Sequence, residues 1–438
     1  MTEWWLVLIA IFGLLLALML VRVPVAIAFL AANVIIFSFL IGLDRGLITL
    51  VNSMYDAVSR FALTPVPLFI LMGELLLRSG VALKSLDALN QLLGRLPGRL
   101  SVLAVLGGTL FAVLSGSSLA NTSMLGSVLV PDMHRRGYST KMSIGSVTAG
   151  GGMAALIPPS ALMVLLGGVG GISIGGLLLG GIIPGLLLAA IFIGYIVIAC
   201  RRNPDLAPSY DLEEISRRER YRLLAVYVLP LGGVFFAVTG LIFLGVATPT
   251  EAAAVGVLAC VVLVAGYRQL TLKVVHAALV GTARLNGMLL IIIAAAAGYS
   301  QLLAFSGASR GLVSATAQLA VPALAVVALL LIITIAMGTF MDPIALMMIT
   351  IPLFVPIVVD LGFSPIWFGI MFLVCLDIGG LTPPVGLLLF VMKGVVPPEI
   401  TMGQIVASVW PFVVRELGLV GLILFFPQLV LWLPSLAF

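Results

Sequence analysis

Apolar runs of bilayer length recur along the whole chain, separated by short polar joints or by glycine and proline. About 18 or more consecutive apolar residues can span a hydrocarbon core as a helix. The pattern predicts spans near 4–21, 23–42, 63–80, 142–166 and 176–199. A second set follows near 223–243, 250–267, 286–305, 365–392 and 403–432. The segments 45–60 and 268–284 read as short interfacial helices. The stretches near 100–133 and 322–357 are too long for one turn and too interrupted for a plain span, so each is expected to be a hairpin that enters and returns. The short alternating segments of a transmembrane barrel are missing from the pattern. The first run, Trp4 to Leu20, has no basic leader and reads as a retained span.

Composition narrows the picture further. Of 438 residues, 62% are hydrophobic and only 9% charged, against roughly 25% charged in soluble domains. Such a chain cannot clothe a water-facing surface, which excludes a soluble enzyme. Cys200, Cys260 and Cys375 lie far apart, and His134 and His276 fall in polar connections. Neither set has metal-ligand or disulfide spacing.

One long polar stretch, Arg201 to Arg222, divides the chain into near-equal halves that echo each other at a constant separation. Pro131 matches Pro356, Gly137 matches Gly362, Ser139 matches Ser364, and Pro158-Pro159 matches Pro383-Pro384. The loop at His134 to Lys141 is basic, while its counterpart at Val359 to Ser364 has no Lys or Arg. Cytoplasmic loops carry the Lys/Arg excess, so matching loops are expected on opposite sides of the membrane. The expected fold is therefore an all-α polytopic membrane protein of two inverted-topology repeats, each with five spans plus a re-entrant helical hairpin. The first repeat covers 1–200, a cytoplasmic linker 201–222, and the second repeat 223–438.

The chemistry is expected where helices break. The first hairpin tip reads Ser115-Gly116-Ser117-Ser118-Leu119-Ala120-Asn121, and the second Gly338-Thr339-Phe340-Met341-Asp342-Pro343. After each comes a glycine-rich span interrupted by a double proline, Gly150 to Ser160 and Asp377 to Gly386. Proline cannot donate to the carbonyl four residues back, so Pro158-Pro159 should free the carbonyls of Ala154 and Ala155, and Pro383-Pro384 those of Gly379 and Gly380. Free carbonyls beside the hydroxyls of Ser160 and Thr382 are hard oxygen ligands that suit Na⁺. A packing kink satisfied by neighbouring helices is the plainer alternative at each break. Asp377 lies inside a span and is a functional candidate, either as a proton or sodium acceptor or as a helix cap. Glu74 stands one turn before Arg78 and should pair with it.

These motifs together resemble the large membrane subunit (M subunit) of tripartite ATP-independent periplasmic (TRAP) transporters, over essentially the whole chain. The resemblance implies an elevator-type, Na⁺-coupled importer of small organic anions such as C4-dicarboxylates, sialic acid or sugar acids, in a bacterial inner membrane. It implies no cofactor beyond Na⁺ as coupling ion. Its partners would be a separate small four-helix membrane subunit and a periplasmic substrate-binding protein. By position, one sodium site would use Ser115, Gly116, Ser117, Ala154 and Ile157, and the other Gly338, Gly379, Thr382 and Val385. Substrate would lie near Ser117, Ser118, Asn121, Thr339 and Asp342.

Neither tip nor proline break carries Lys or Arg, so an anionic cargo would have to be balanced by bound cations and helix amides. A stand-alone Na⁺- or H⁺-coupled symporter or antiporter is the nearest rival. An intramembrane hydrolase would need an embedded histidine or a paired-aspartate setting that the pattern does not offer. A passive channel would not need matched, broken helices.

Overall fold

The computed structural model describes residues 4–21, 23–94, 96–115, 117–208, 216–318 and 321–437, without the side chains at 113–115, 217 and 317. Among these residues the regular structure is entirely helical. The first half begins with α1 (Trp4–Leu20), α2 (Val25–Ile41), α3 (Leu43–Val58), α4 (Pro65–Arg78) and α5 (Val81–Leu92). A helical hairpin follows, α6 (Arg99–Ser115) and α7 (Ser118–Arg135). Next comes a broken helix: α8 (Thr140–Gly152), a 3-10 turn at Met153–Ala155, and α9 (Ala161–Gly170). α10 (Ile174–Gly180) and α11 (Ile182–Arg202) close the half.

The second half contains α12 (Arg217–Leu223), α13 (Leu229–Phe243), α14 (Pro249–Gly266), α15 (Leu272–Phe305) and α16 (Ala308–Ala317). Its hairpin is α17 (Ala323–Gly338) and α18 (Pro343–Asp360), and its broken helix α19 (Pro365–Gly380) and α20 (Leu387–Val395). α21 (Met402–Phe425) and α22 (Gln428–Ala437) finish the chain. Among the described residues, seven helical stretches are long and apolar enough to cross a membrane, and shorter apolar helices supplement them.

Several boundaries differ from the sequence reading, each for a local reason. The segment 268–284 is not a separate interfacial helix. It is the first half of α15, which runs unbroken for 34 residues. Thr271 caps it through the Val274 amide, and no proline interrupts it afterwards. Its length, about 1.5 Å per residue, exceeds a bilayer core, so its polar first half extends past the apolar zone. The spans near 142–166 and 365–392, where the sequence predicts an interruption at the double proline, each consist of two helices, α8 and α9, and α19 and α20. Both Pro158–Pro159 and Pro383–Pro384 are cis. In the polar linker, α11 carries helix through Arg202 and α12 resumes it at Arg217, while 209–215 lie outside the described residues.

Burial decides which helices form the centre. Every residue from Met142 to Gly152 in α8 is buried, as is every residue from Trp367 to Gly380 in α19. In a bilayer an apolar helix can face lipid, so full burial marks the helices that other helices surround. α8 is enclosed by α6, α7 and α21, and α19 by α17, α18 and α21. α1, α13 and α14 instead leave Leu6, Phe236 and Leu258 exposed, an outer surface suited to lipid. α15 lies along α2, α3 and α4 and also packs against α18 of the second hairpin.

The two halves reuse local devices. Gly137 and Gly362 both end a hairpin helix with positive φ, 79° and 80°. Ser79 and Ser306 precede Gly80 and Gly307, both with φ 72°, and each serine donates to the carbonyl three residues back while accepting the amide two residues on.

Candidate functional site

Three consecutive glycines at the end of α8 each admit a different neighbour. A Cβ on Gly150 would lie 2.6 Å from the Ala104 carbonyl oxygen on α6. One on Gly151 would strike Thr122 of α7, and one on Gly152 would strike the Asp377 carboxylate of α19. Successive helix positions point about 100° apart, so three glycines in a row clear three sides. The end of α8 is thus the place where the first hairpin and the second broken helix converge.

Side chains then strap the first tip to this point. Ser117 caps α7, accepting from the Ala120 amide at 3.4 Å. The Ser118 hydroxyl donates to the Gly152 carbonyl at 2.9 Å. Asn121, fully buried, donates from Nδ2 to the carbonyls of Gly108 and Gly151, both at 3.1 Å. Asn121 therefore faces the seam between α6 and α8 and not the cavity wall. Gly116 lies outside the described residues, and of Ser115 only the backbone is described.

The second tip is built by a different device. Asp342 caps α18, accepting from the amides of Ile344 at 3.0 Å and Ala345 at 3.1 Å, with Pro343 as the first helical residue. The Thr339 hydroxyl donates to the Ala336 carbonyl at 2.8 Å. The Thr339 carbonyl accepts from the Gly386 amide at 2.9 Å, which ties the tip to the start of α20. Gly338 and Gly379 meet backbone to backbone, since a Cβ on Gly379 would lie 2.7 Å from the Gly338 Cα.

The carbonyls at the breaks are less bare than proline chemistry alone suggests. The Ala155 carbonyl accepts the Ser160 hydroxyl at 3.2 Å. The Gly379 carbonyl accepts the Thr382 amide at 3.1 Å, and the Thr382 hydroxyl donates to the Ile378 carbonyl at 2.6 Å. A tightened turn and a nearby hydroxyl recapture what proline releases. Each such carbonyl keeps a second lone pair, and a hydroxyl that has donated its proton presents only lone pairs to its other side. Both kinds of oxygen remain able to face a cation.

A cavity of about 520 Å³ lies between the two tips. Ser117, Ser118 and Leu119 wall one side, and Gly338, Met341, Asp342 and Pro343 the other. Ala155, Ala161, Leu376, Asp377 and Gly380 contribute from the breaks, and Leu285, Met288 and Leu289 of α15 close the back. Among the described residues, no Lys or Arg lines the cavity. The volume falls within the usual range for small-molecule sites. Of the residues expected from sequence, Ser117, Ser118, Gly338, Asp342 and Asp377 border the cavity. Ala154, Ile157, Thr339 and Gly379 are buried behind it, while Thr382 and Val385 are half-buried on the loop that follows. The α15 wall was not legible as part of a site, because an apolar stripe on a long helix carries no chemical mark. Glu416, fully buried on α21, also escaped the sequence reading.

Comparison with known proteins matches this arrangement to a family. Residues 12–429 match the model of the DctM component of the tripartite ATP-independent periplasmic transporters. The chain is 32% identical over 439 residues to the C4-dicarboxylate TRAP transporter large permease protein DctM of Rhodobacter capsulatus, covering 97% of this chain and 98% of that one. It is 30% identical to the ectoine/5-hydroxyectoine large permease UehC of Ruegeria pomeroyi, covering 98% and 99%. It is also 30% identical to the sialic acid large permease SiaM of Vibrio cholerae, covering 88% and 89%. Among solved structures, the YdaH transporter of Alcanivorax borkumensis shares the fold, with a TM-score of 0.61 at 17% identity and 89% of each chain covered. With its bilayer-length apolar helices and a match over nearly its whole length, the chain belongs to the DctM family, the large permease components of TRAP transporters.

Proposed function

We propose that this chain is the permease of a Na⁺-coupled importer of small organic anions, of the C4-dicarboxylate, sialic acid or sugar-acid class, in a bacterial inner membrane. A small four-helix membrane subunit and a periplasmic binding protein are its partners in this reading. Relatives named for C4-dicarboxylate, sialic acid and 2,3-diketo-L-gulonate transport support the cargo class. The observation that carries the coupling is the cavity itself: in a largely apolar lining it is bordered by the hydroxyls of Ser117 and Ser118 and by the carboxylates of Asp342 and Asp377, and among the described residues no cationic side chain borders it. A negative cargo in a low-dielectric site needs positive charge nearby. Sodium ions at the breaks would supply it, so that each bound ion raises the affinity for cargo and cargo raises the affinity for ions.

In this reading Ser117 with the backbone of Ser115, Gly116, Ala154 and Ile157 holds one ion, and Gly338, Gly379, Thr382 and Val385 hold the other. Cargo sits against Ser117, Ser118, Thr339 and Asp342. The hairpins and broken helices move as one body against a scaffold of α2–α4 and α13–α15, an elevator motion across inverted repeats. The recurrence of the Gly137/Gly362 and Ser79/Ser306 devices supports the duplication.

The test is uptake into proteoliposomes carrying this chain with its partner subunits, measured across sodium concentrations. Thr382→Ala and Ser117→Ala should each raise the sodium concentration for half-maximal uptake, with Thr382→Ser near wild type. Unchanged sodium dependence in both alanine variants would refute the site assignment. Full uptake by this chain alone would instead favour a stand-alone carrier.

A further inference from the structure

Glu416 lies within α21 and is fully buried. Neither of its carboxylate oxygens has a hydrogen-bond partner among the described residues. Its neighbours along the helix, Phe412, Val413, Leu419 and Val420, are buried and apolar.

The helices packed on α21 offer it no counter-charge. From α19, Cys375 and Asp377 stand within electrostatic reach. α8 has only Lys141, in its first turn, which is exposed. From α11, the Tyr195 ring lies 3.5 Å beneath the Arg415 guanidinium, and Cys200, Arg201 and Arg202 stand at that helix's end. Arg415 itself donates to the Pro411 carbonyl. Lys393 of α20 donates to the carbonyls of Pro398 and Ile400, at 3.0 and 2.6 Å. α22 has no ionisable side chain. An uncompensated carboxylate in such a place is strongly unfavourable, and the nearby Asp377 carboxyl makes a second negative charge worse. An apolar residue would fill the same space without that penalty.

We propose that Glu416 is a proton-binding site of this carrier, held as the neutral acid in the seam between α8, α19 and α21, and exchanging its proton when that seam opens to the cavity. The seam meets the cavity at Asp377, which borders both. The ligand is a proton, distinct from the sodium ions proposed at the breaks, and it makes the carrier's conformational balance depend on pH.

The test uses the purified full chain in lipid nanodiscs, with no cargo or sodium, so its outcome is independent of the sodium reading. Infrared difference spectra of wild type against E416Q should show the carbonyl stretch of a protonated carboxyl from about pH 6 to about pH 8, where solvated carboxylic acids are fully ionised. That band should shift within minutes of transfer into D₂O and be absent from E416Q. No Glu416-dependent band, or a band that never exchanges, would overturn the proposal. Should E416Q not fold, thermal unfolding provides the second measurement. A folded state that holds a proton the unfolded chain releases loses stability as pH rises. Wild type should therefore lose stability between about pH 6 and about pH 9, and E416L should lose less. Equal pH dependence in the two would overturn it.

Discussion

The closest approach in the second site is the contact of Gly338 with Gly379, and it can be tested by adding one carbon. A Cβ on Gly379 would lie 2.7 Å from the Gly338 Cα, 2.8 Å from its carbonyl carbon and 3.1 Å from the Ile335 carbonyl oxygen. Ordinary carbon–carbon contact is about 3.5–4.0 Å, so α17 and α19 would have to part by roughly 1 Å. The obstacle is backbone on both sides, and no side chain can swing away. Overpacking of this kind destabilises by about 1–3 kcal/mol. Gly379→Ala also gains up to about 1 kcal/mol of helix propensity, which must be separated from the clash. Gly418→Ala on α21 makes that separation, because it meets nothing within 4 Å. The difference between the two alanine variants, read by thermal or denaturant unfolding of the purified chain, should be about 1–3 kcal/mol against Gly379→Ala. Gly338→Ala should fall between them, since its Cβ would stand 3.1 Å from the Gly379 Cα. If Gly379→Ala were as stable as Gly418→Ala, the two helices would not meet there, and the second cation site would lose its frame.

Other residues give independent tests. Asn121→Ala should destabilise the folded chain by about 1–3 kcal/mol in the same unfolding assay, because two buried carbonyls, Gly108 and Gly151, lose their donor. Asp342→Ala should destabilise by about 1 kcal/mol through loss of the α18 cap, whereas Asp342→Asn should retain the cap and stay within about 0.5 kcal/mol of wild type. A fall in uptake by Asp342→Asn with stability intact would assign the carboxylate's charge to transport; stability loss equal to that of alanine would contradict the capping geometry.

Legibility differed between kinds of feature. The glycine triplet and the double prolines stood out in sequence because their backbone consequences are local: missing amides, missing side chains, sharp ends to helices. The destinations of the three glycines were not legible. That Gly150 faces α6, Gly151 faces α7 and Gly152 faces Asp377 depends on which helices come together there. Asn121 illustrates the same limit: a polar residue at a tip pointed to cargo, and its rotation on α7 turned it into a strut between helices. Glu416 is an acid in an apolar run with Arg415 beside it, and nothing local in the sequence tells a buried acid from an exposed charge pair. Only the packing of α19 and α8 on α21 separates the two neighbours, burying one and leaving the other at the Tyr195 ring.

The sequence by itself determined that this chain lives in a bilayer, is helical, and breaks its helices at matched places. Those properties follow from how each residue, or a few neighbours along the chain, interacts with water, lipid and its own backbone. Tertiary structure alone decided which breaks face each other, which helices the three glycines meet, and which acid is left without a partner among the described residues. Those depend on contacts between residues far apart in the chain, and such contacts leave no local trace in composition or periodicity.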